Sequence, residues 1–336
     1  MANQIAAIKN YTKVLDAVYQ KASVSGCLTS GGRMVRAGRN AKEIMIPKIE
    51  VSGLGDYTRN VGYKTGSISF DYETKTFNYD RGIKLLADVM DVEEAGVLDC
   101  FMAAGSELMR TQVAPEADAF TFSEIAHHDG VKAEAKSYAD AEAADILRDL
   151  RAATNEMDEL EVTEGGRILF ITPTLKGVLD DFSLVNPNLS KHVLTRFSRI
   201  VEVPQRRFYS HIDLLTGADE AFGFRRAMGT YELTKDAEVD SAKTYYSESG
   251  GVYSKVASPS KSGLAGYYEL VGAGAPINWL ICEKSAVIKF DKHVASRVFS
   301  PDELENLDSY MRKYRKYGIV ELLDNKLDGV RVCTAV

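Results

Sequence analysis

Few residues in this chain combine the type and the spacing that chemistry needs. Ser258-Pro259-Ser260-Lys261 is an SxxK tetrad, the spacing at which a lysine amine can take a serine's proton. Lys64-Thr65-Gly66 supplies a KTG, but it precedes Ser258 by most of the chain, no SDN occurs, and Ser258 stands in a Ser/Pro/Gly stretch. Acyl transfer is not supported. The histidines His127, His128, His192, His211 and His293 form neither HxxxH nor HExxH, so no metal site is read from them. His127-His128 closes a helical pattern, where a cation complements the helix dipole. Glu93-Glu94 and Asp180-Asp181 fall on expected helices and read as solvated faces. In Arg312–Tyr317, RKYRKY, four cations interleave with two tyrosines, the make-up of a stacking surface for single-stranded nucleic acid. Yet Asp302, Glu303, Glu305 and Asp308 precede them, and acid before base is what a helix dipole favours. The preferred reading is a C-terminal helix opened by the capping box Ser300-Pro301-Asp302-Glu303, lined by Leu304, Leu307, Met311 and Tyr314, and stopped by Gly318.

Nucleotide chemistry fares no better. There is no GxxxxGK[ST] loop and no GxGxxG after a strand, and Gly272–Pro276, GAGAP, is too short to cradle a phosphate. Cys27, Cys100, Cys282 and Cys333 contain no CxxC pair and read as small hydrophobes, Cys100 on a helix and Cys282 in an apolar strand. The residues thus point to no catalytic, cofactor-binding or metal site. Composition is that of globular material: 336 residues, 45% hydrophobic and 26% charged. Net charge is −7, from 48 acidic against 41 basic side chains, which argues against a broad nucleic-acid-binding patch. The opening residues are amphipathic and lack the apolar core of a signal peptide, and no stretch is long enough for a membrane span.

The elements are more informative than the motifs. Residues 1–41 read as an arm rich in Gly, Ser and Arg. From Ile68 the pattern has period two, with Ile68, Phe70 and Tyr72 on one side and Ser67, Ser69, Asp71 and Glu73 on the other. With Lys42–Tyr57 ahead of it, this makes a ribbon over 42–80 whose strands are joined through Gly53, Gly55, Gly62 and Gly66. Nothing beside the ribbon in sequence covers its apolar side, and a lone two-stranded ribbon is marginal in water, so it needs a partner.

Asp91 and Glu94 resemble a capping box, and Val92, Ala95, Leu98, Met102, Gly105, Leu108 and Met109 recur at helical spacing. Pro115 either kinks that helix or restarts it, with Ala117, Phe120 and Ile125 continuing the stripe. Residues 129–143 read as a boundary. Beyond it come a helix marked by Ile146, Leu147, Leu150, Met157 and Leu160, a buried strand at Arg167–Thr172, and a helix with Thr172 at its cap and Pro173 at its first position. Ile277–Phe290 reads as two strands around a polar turn, and Ile319–Val332 as two strands around Asp324-Asn325-Lys326.

This order resembles the major capsid proteins of tailed bacteriophages, the Hong Kong 97-type family. The residues that carry the likeness are the arm, the ribbon, TKTFNYDRGIKLLADVMDVEEAG leading into a spine helix, EADAFTFSEIA ending it, RILFITPTLKGVL with RIVEVPQRRFY, and the closing stretch from Ala286 to Val332. The resemblance implies an α+β fold with an N-terminal arm (1–41), an extended loop (42–80), a peripheral domain holding the spine helix (81–138 and 296–336), and a mixed α/β axial domain (139–295). It implies that the ribbon lies across a neighbouring subunit.

The implied function is a self-assembling shell subunit, not an enzyme. Hexamers and pentamers of it would close an icosahedral head around double-stranded DNA, bound without sequence specificity. Its implied partners are copies of itself, a portal, and, since the arm begins almost at Met1, a separate scaffolding protein. No membrane partner or cofactor is implied, and its place is the virion, after assembly in the bacterial cytoplasm. Phe70 and Tyr72 are expected to be buried between subunits, and Arg59 and Arg81 to form intersubunit ion pairs. Lys64 or Lys75 with Asn325 are the residues that a family-type cross-link would use. The alternatives are an encapsulin-type nanocompartment shell, which shares the fold but encloses enzymes, and an enzyme whose site converges from residues distant in sequence.

Overall fold

Alternation of apolar and polar residues gives two nine-residue strands, β1 (Glu43–Val51) and β2 (Ile68–Thr76), which pair antiparallel along their whole length from Glu43–Thr76 to Val51–Ile68. A third strand, β3 (Tyr79–Asp88), follows directly. The computed structural model describes residues 23–29, 36–37, 43–60, 62–90, 105–139, 141–234, 243–249, 252–256, 266–303 and 308–335. The Asp91–Glu94 start, Cys100, Ser258–Lys261, Leu304 and Leu307, and most of the expected arm lie outside these residues.

From residue 105 the chain is helical. A π-helical turn at Met109–Val113 leads into α1 (Ala114–His127), with the Ala114 N–H donating to the Met109 carbonyl. The wide turn comes just before Pro115, whose missing N–H and ring it accommodates without breaking the helix. Then come β4 (Lys132–Ala135), α2 (Ala143–Glu159), β5 (Arg167–Ile171), α3 (Pro173–Val185), α4 (Pro187–Leu194) and β6 (Arg199–Glu202). Thr172 stands at the cap of α3 with Pro173 first in the helix, as its sequence predicts, although the Thr172 side chain makes no capping bond.

Short strands β7 (Ile212–Leu214), β8 (Phe224–Arg226), β9 (Met228–Leu233), β10 (Tyr245–Ser249), β11 (Val252–Lys255) and β12 (Tyr267–Ala273) follow. The chain ends in β13 (Ile277–Glu283), β14 (Val287–Phe299), β15 (Ser309–Leu322) and β16 (Val330–Thr334). No described helix is long and apolar enough to cross a membrane.

The described residues fall into two units. One contains those of 26–106 and 287–321, the other those of 19–25, 107–286 and 322–336. This division departs from the expected domain boundaries. Val330–Thr334 was expected with the peripheral domain, but β16 lies inside the five-stranded sheet of the second unit, ordered β4-β16-β13-β5-β6. Residues 129–143 are likewise no boundary, because β4 pairs parallel with β16, from Lys132–Arg331 to Ala135–Thr334. Its lysine and acid suit an exposed edge strand, which explains why it reads as a linker.

The second unit is built around that sheet. Leu169, Ile171, Trp279, Ile281 and Cys333 share one face and pack with Ile146, Leu150 and Met157 of α2 and Leu175 and Leu179 of α3. Phe170 on the other face meets Phe122 of α1 with ring centroids 5.0 Å apart. Full burial of each such side chain is worth about 1.5–3 kcal/mol. α1 is buried nearly all round, polar residues included.

The most connected of these is Asp118, which is 0% exposed. Its carboxylate accepts from the Ser23 hydroxyl (2.7 Å), the Ser25 hydroxyl, the backbone N–H groups of Val24 (3.0 Å) and Ser25 (3.1 Å), and the Arg207 guanidinium (3.1 Å). A buried carboxylate needs such partners. Here they tie the 23–25 segment to the helix.

In the first unit, β14-β15-β3 form a three-stranded sheet with β15 central. β15 overturns the expected C-terminal helix. Ser300–Glu303 makes only one 3-10 turn, although the Glu303 carboxylate does accept from the Ser300 N–H at 3.0 Å. Thereafter the chain alternates: Arg312, Tyr314 and Lys316 are buried, and Lys313 and Arg315 exposed. Pairing with β3 runs unbroken from Ser309–Asp88 to Gly318–Tyr79, and this long ladder outweighs a modest helical preference in a stretch rich in Tyr, Val and Ile. At the join of β2 and β3, Asn78 donates to the Val320 carbonyl at 2.8 Å and accepts from the Val320 N–H at 3.1 Å. The side chain thereby stands in for a strand partner and roots the ribbon in the sheet.

Asp118→Ala removes the carboxylate that the Arg207 guanidinium and four further donors share. It is expected to lower unfolding free energy by about 3 kcal/mol in urea titration, more than Asp118→Asn. Equal stability of wild type and alanine variant would deny the latch its weight.

Candidate assembly surface

The register of β1 and β2 sorts their side chains by face. Pro47 pairs with Tyr72, Ile49 with Phe70, and Val51 with Ile68, so six apolar or aromatic residues share one face. Lys48 pairs with Asp71 and Glu50 with Ser69 on the other, where Lys48 and Glu50 form an ion pair at 2.9 Å. Near the root it is the opposite face, that of Lys48 and Glu50, that is covered: Ile44 is 1% exposed and Ile46 6%. Beyond it the apolar face is open, with Ile49 62%, Val51 65%, Ile68 75% and Phe70 55% exposed. An apolar band of this kind on a two-stranded ribbon marks a surface made for contact.

The tip continues the pattern. Leu54 is fully exposed, and the Tyr57 and Tyr63 rings meet with centroids 4.9 Å apart. Thr58 and Gly62 exchange backbone hydrogen bonds, and Gly62 takes φ +86°, which a side chain would strain. The tip is thus a shaped turn carrying aromatic and aliphatic groups.

The four residues singled out from sequence do not form one cluster. Phe70 and Tyr72 stand side by side on the apolar face, edge to face at 5.0 Å. Arg59 is exposed at the tip. Arg81 is on β3, opposite Lys316 in the other sheet. Sequence reasoning missed Ile49, Val51, Leu54 and the tyrosine pair. The alternation of Pro47, Ile49 and Val51 carried the signal for the first two. Of the cross-link residues, Lys64 packs its stem near Gly55, and Lys75 pairs with Glu73 (3.1 Å) and Glu321 (3.9 Å). Asn325 is exposed in the turn Asp324–Gly329 of the second unit.

Perturbed titratable groups occur, but as packing. The Tyr138 hydroxyl donates to Asp149 at 2.7 Å and accepts from the Trp279 indole at 3.2 Å, and burial raises its pKa. Burial also pushes the Cys333 thiol up, away from a nucleophilic thiolate. Lys136 pairs with the same Asp149 at 2.9 Å, a hydrogen bond that raises its pKa. The group ties β4 and β16 to α2. Cys282 is fully buried, as its apolar surroundings predict. Among the described residues no three His, Cys, Asp or Glu side chains gather as metal ligands.

His127 does end α1, and its ring packs against that of His211 with centroids 4.3 Å apart. Burial, then the adjoining His127, holds the His211 imidazole below its usual 6.5. An unfolded chain then takes up the proton first, so stability is full above that value and declines as pH falls below it.

No family model matches the chain, and no curated protein matches it. Solved structures do. The capsid structure of the cyanophage P-SCSP1u aligns over 90% of this chain and 85% of its own, with a TM-score of 0.53 at 12% identity. The mature capsid of bacteriophage PhiM1 aligns over 88% and 82%, with a TM-score of 0.52 at 15% identity. A virus-like particle from Pyrococcus furiosus aligns over 97% and 99% at 11% identity, with a lower TM-score of 0.49.

Two outcomes follow from the geometry. Ile68→Ser with Phe70→Ser is expected to leave the subunit's melting temperature within a degree or two, since both side chains are already wet, while its self-association measured by sedimentation weakens by about 3 kcal/mol or more. A large loss of melting temperature would mean that these residues serve the subunit's own core. His211→Phe is expected to flatten the fall in melting temperature between about pH 6.5 and 5, and an unchanged slope would place the acid sensitivity elsewhere.

Proposed function

We propose that this chain, which has the major capsid fold of tailed bacteriophages, is a shell subunit that assembles with copies of itself. The single observation that carries the reading is the open apolar face of β1 and β2, joined to a capsid fold that spans nearly the whole chain. A neighbouring subunit supplies what the ribbon lacks, covering Ile49, Val51, Ile68 and Phe70. Because ribbon and receiving surface are different parts of the chain, the contact is heterologous and closes into rings. Hexamers and pentamers of this kind build an icosahedral head.

The enclosed genome is double-stranded DNA held without sequence readout. The overall charge of −7 suits a wall along which DNA moves during packaging and ejection. Assembly takes place in the host bacterial cytoplasm with a separate scaffolding protein and a portal, and the product is the virion. The perturbed tyrosine, lysine and cysteine act in packing, which supports a structural role over an enzymatic one.

Deleting residues 53–66 tests this reading. The five-stranded-sheet unit is expected to stay folded by circular dichroism, while electron microscopy shows no closed shells. Normal particles from the deletion would end this account of the ribbon. Among shells from the full chain, packaged DNA supports the phage reading, and an enclosed enzyme would move it to a nanocompartment.

A further inference from the structure

The strand assignment of β15 changes what RKYRKY presents. Pairing of β3 with β15 places Lys84 directly opposite Lys313 and Gly82 opposite Arg315, so three exposed cations share one face of the sheet. Arg315 is answered within the chain, its guanidinium gripping Asp80 through two bonds of 2.9 and 2.7 Å. Among the described residues Lys84 and Lys313 have no carboxylate within ion-pair distance, and Lys313 instead lies over the Phe299 ring at 5.2 Å. Like charges directly opposite on neighbouring strands destabilise a sheet, so an unanswered lysine pair on a chain of net charge −7 calls for an anion from outside.

The same hairpin also carries an acidic segment. Residues 300–308, between β14 and β15, contain Asp302, Glu303, Glu305 and Asp308 and no lysine or arginine. Asp302, Glu303 and Asp308 are exposed. Among the described residues, neither lysine forms an ion pair with Asp302, Glu303 or Asp308, although Asp302 follows Phe299 by only three residues. Five residues of extended strand hold Asp308 about 16 Å from Lys313, roughly two Debye lengths at physiological salt.

We propose that the Lys84–Lys313 face receives Asp302 and Asp308 of a second copy of this chain, in a heterologous contact. The inference rests on the shell reading and adds a second, electrostatic contact to the apolar one made by the ribbon. Exposed charges contribute more to the rate and register of association than to its strength, and the contact weakens with salt. It selects the partner's orientation while the ribbon supplies burial.

Charge reversal tests it. K84E/K313E and D302K/D308K are each expected to lower the yield of particles in low salt by about tenfold, by sedimentation and electron microscopy. The fourfold variant, with both ends reversed, is expected to return to within about twofold of wild type, because only the signs have exchanged. K84E alone creates a cross-strand pair with Lys313, so it is expected to keep or raise subunit melting temperature while assembly falls, which separates folding from association. Reversed variants that assemble as wild type does would overturn the proposal. So would two defective variants whose combination is not restored. Normal assembly with loss of co-purifying nucleic acid would overturn it too, by assigning the lysines to DNA phosphates. If the wild type builds no closed particle, the shell reading fails by itself, and the same exchange is read in whatever oligomer sediments; a wild type monomeric at every salt concentration overturns both.

Discussion

A two-stranded ribbon cannot bury its own apolar face, and the interest of this protein follows from that constraint. Ile49, Val51, Ile68 and Phe70 form a band that a third strand or a helix would cover in an ordinary domain. Here the chain offers only a root, where Ile44 and Ile46 are buried on the opposite face and Asn78 is bonded both ways to Val320. The ribbon is held firmly at one end and left open along its length. Such an element is a liability for a solitary protein and an asset for one that is never solitary.

Charge and burial are divided between different parts of the chain. The second unit takes its stability from a sheet packed on both faces and from buried polar anchors such as Asp118. The first unit exposes its apolar and charged groups in separate places, the ribbon for burial and the β3–β15 face for charge. An interface divided in this way can be tuned by salt at one contact without loosening the other.

Much of this was legible in the sequence. Period two over Ile68–Tyr72 identified the ribbon and its apolar side, and α1, β5 and β13 follow from their apolar runs and caps. What was not legible depends on distant partners. Ser309–Leu322 has a capping box before it and acid-then-base order, both local helix signals, yet its ladder with Tyr79–Asp88 decides the outcome. Lys132–Ala135 has no large apolar residue because it is an edge strand, and only its pairing with β16 identifies it. The same nonlocality applies to the surface. Phe70 and Tyr72 could be chosen from alternation, but the opposition of Lys84 and Lys313 exists only once the register is known.

The central claim is that the ribbon is completed by another chain, and amide hydrogen exchange tests it most directly. Exchange at residues 48–51 and 68–72 would be compared between unassembled subunits and assembled particles. The account predicts rapid exchange in the subunit, where the ribbon opens easily, and strong protection after assembly, while β5 and β13 are protected in both. Ribbon amides already protected in the free subunit, or still rapidly exchanging in assembled particles, would contradict it.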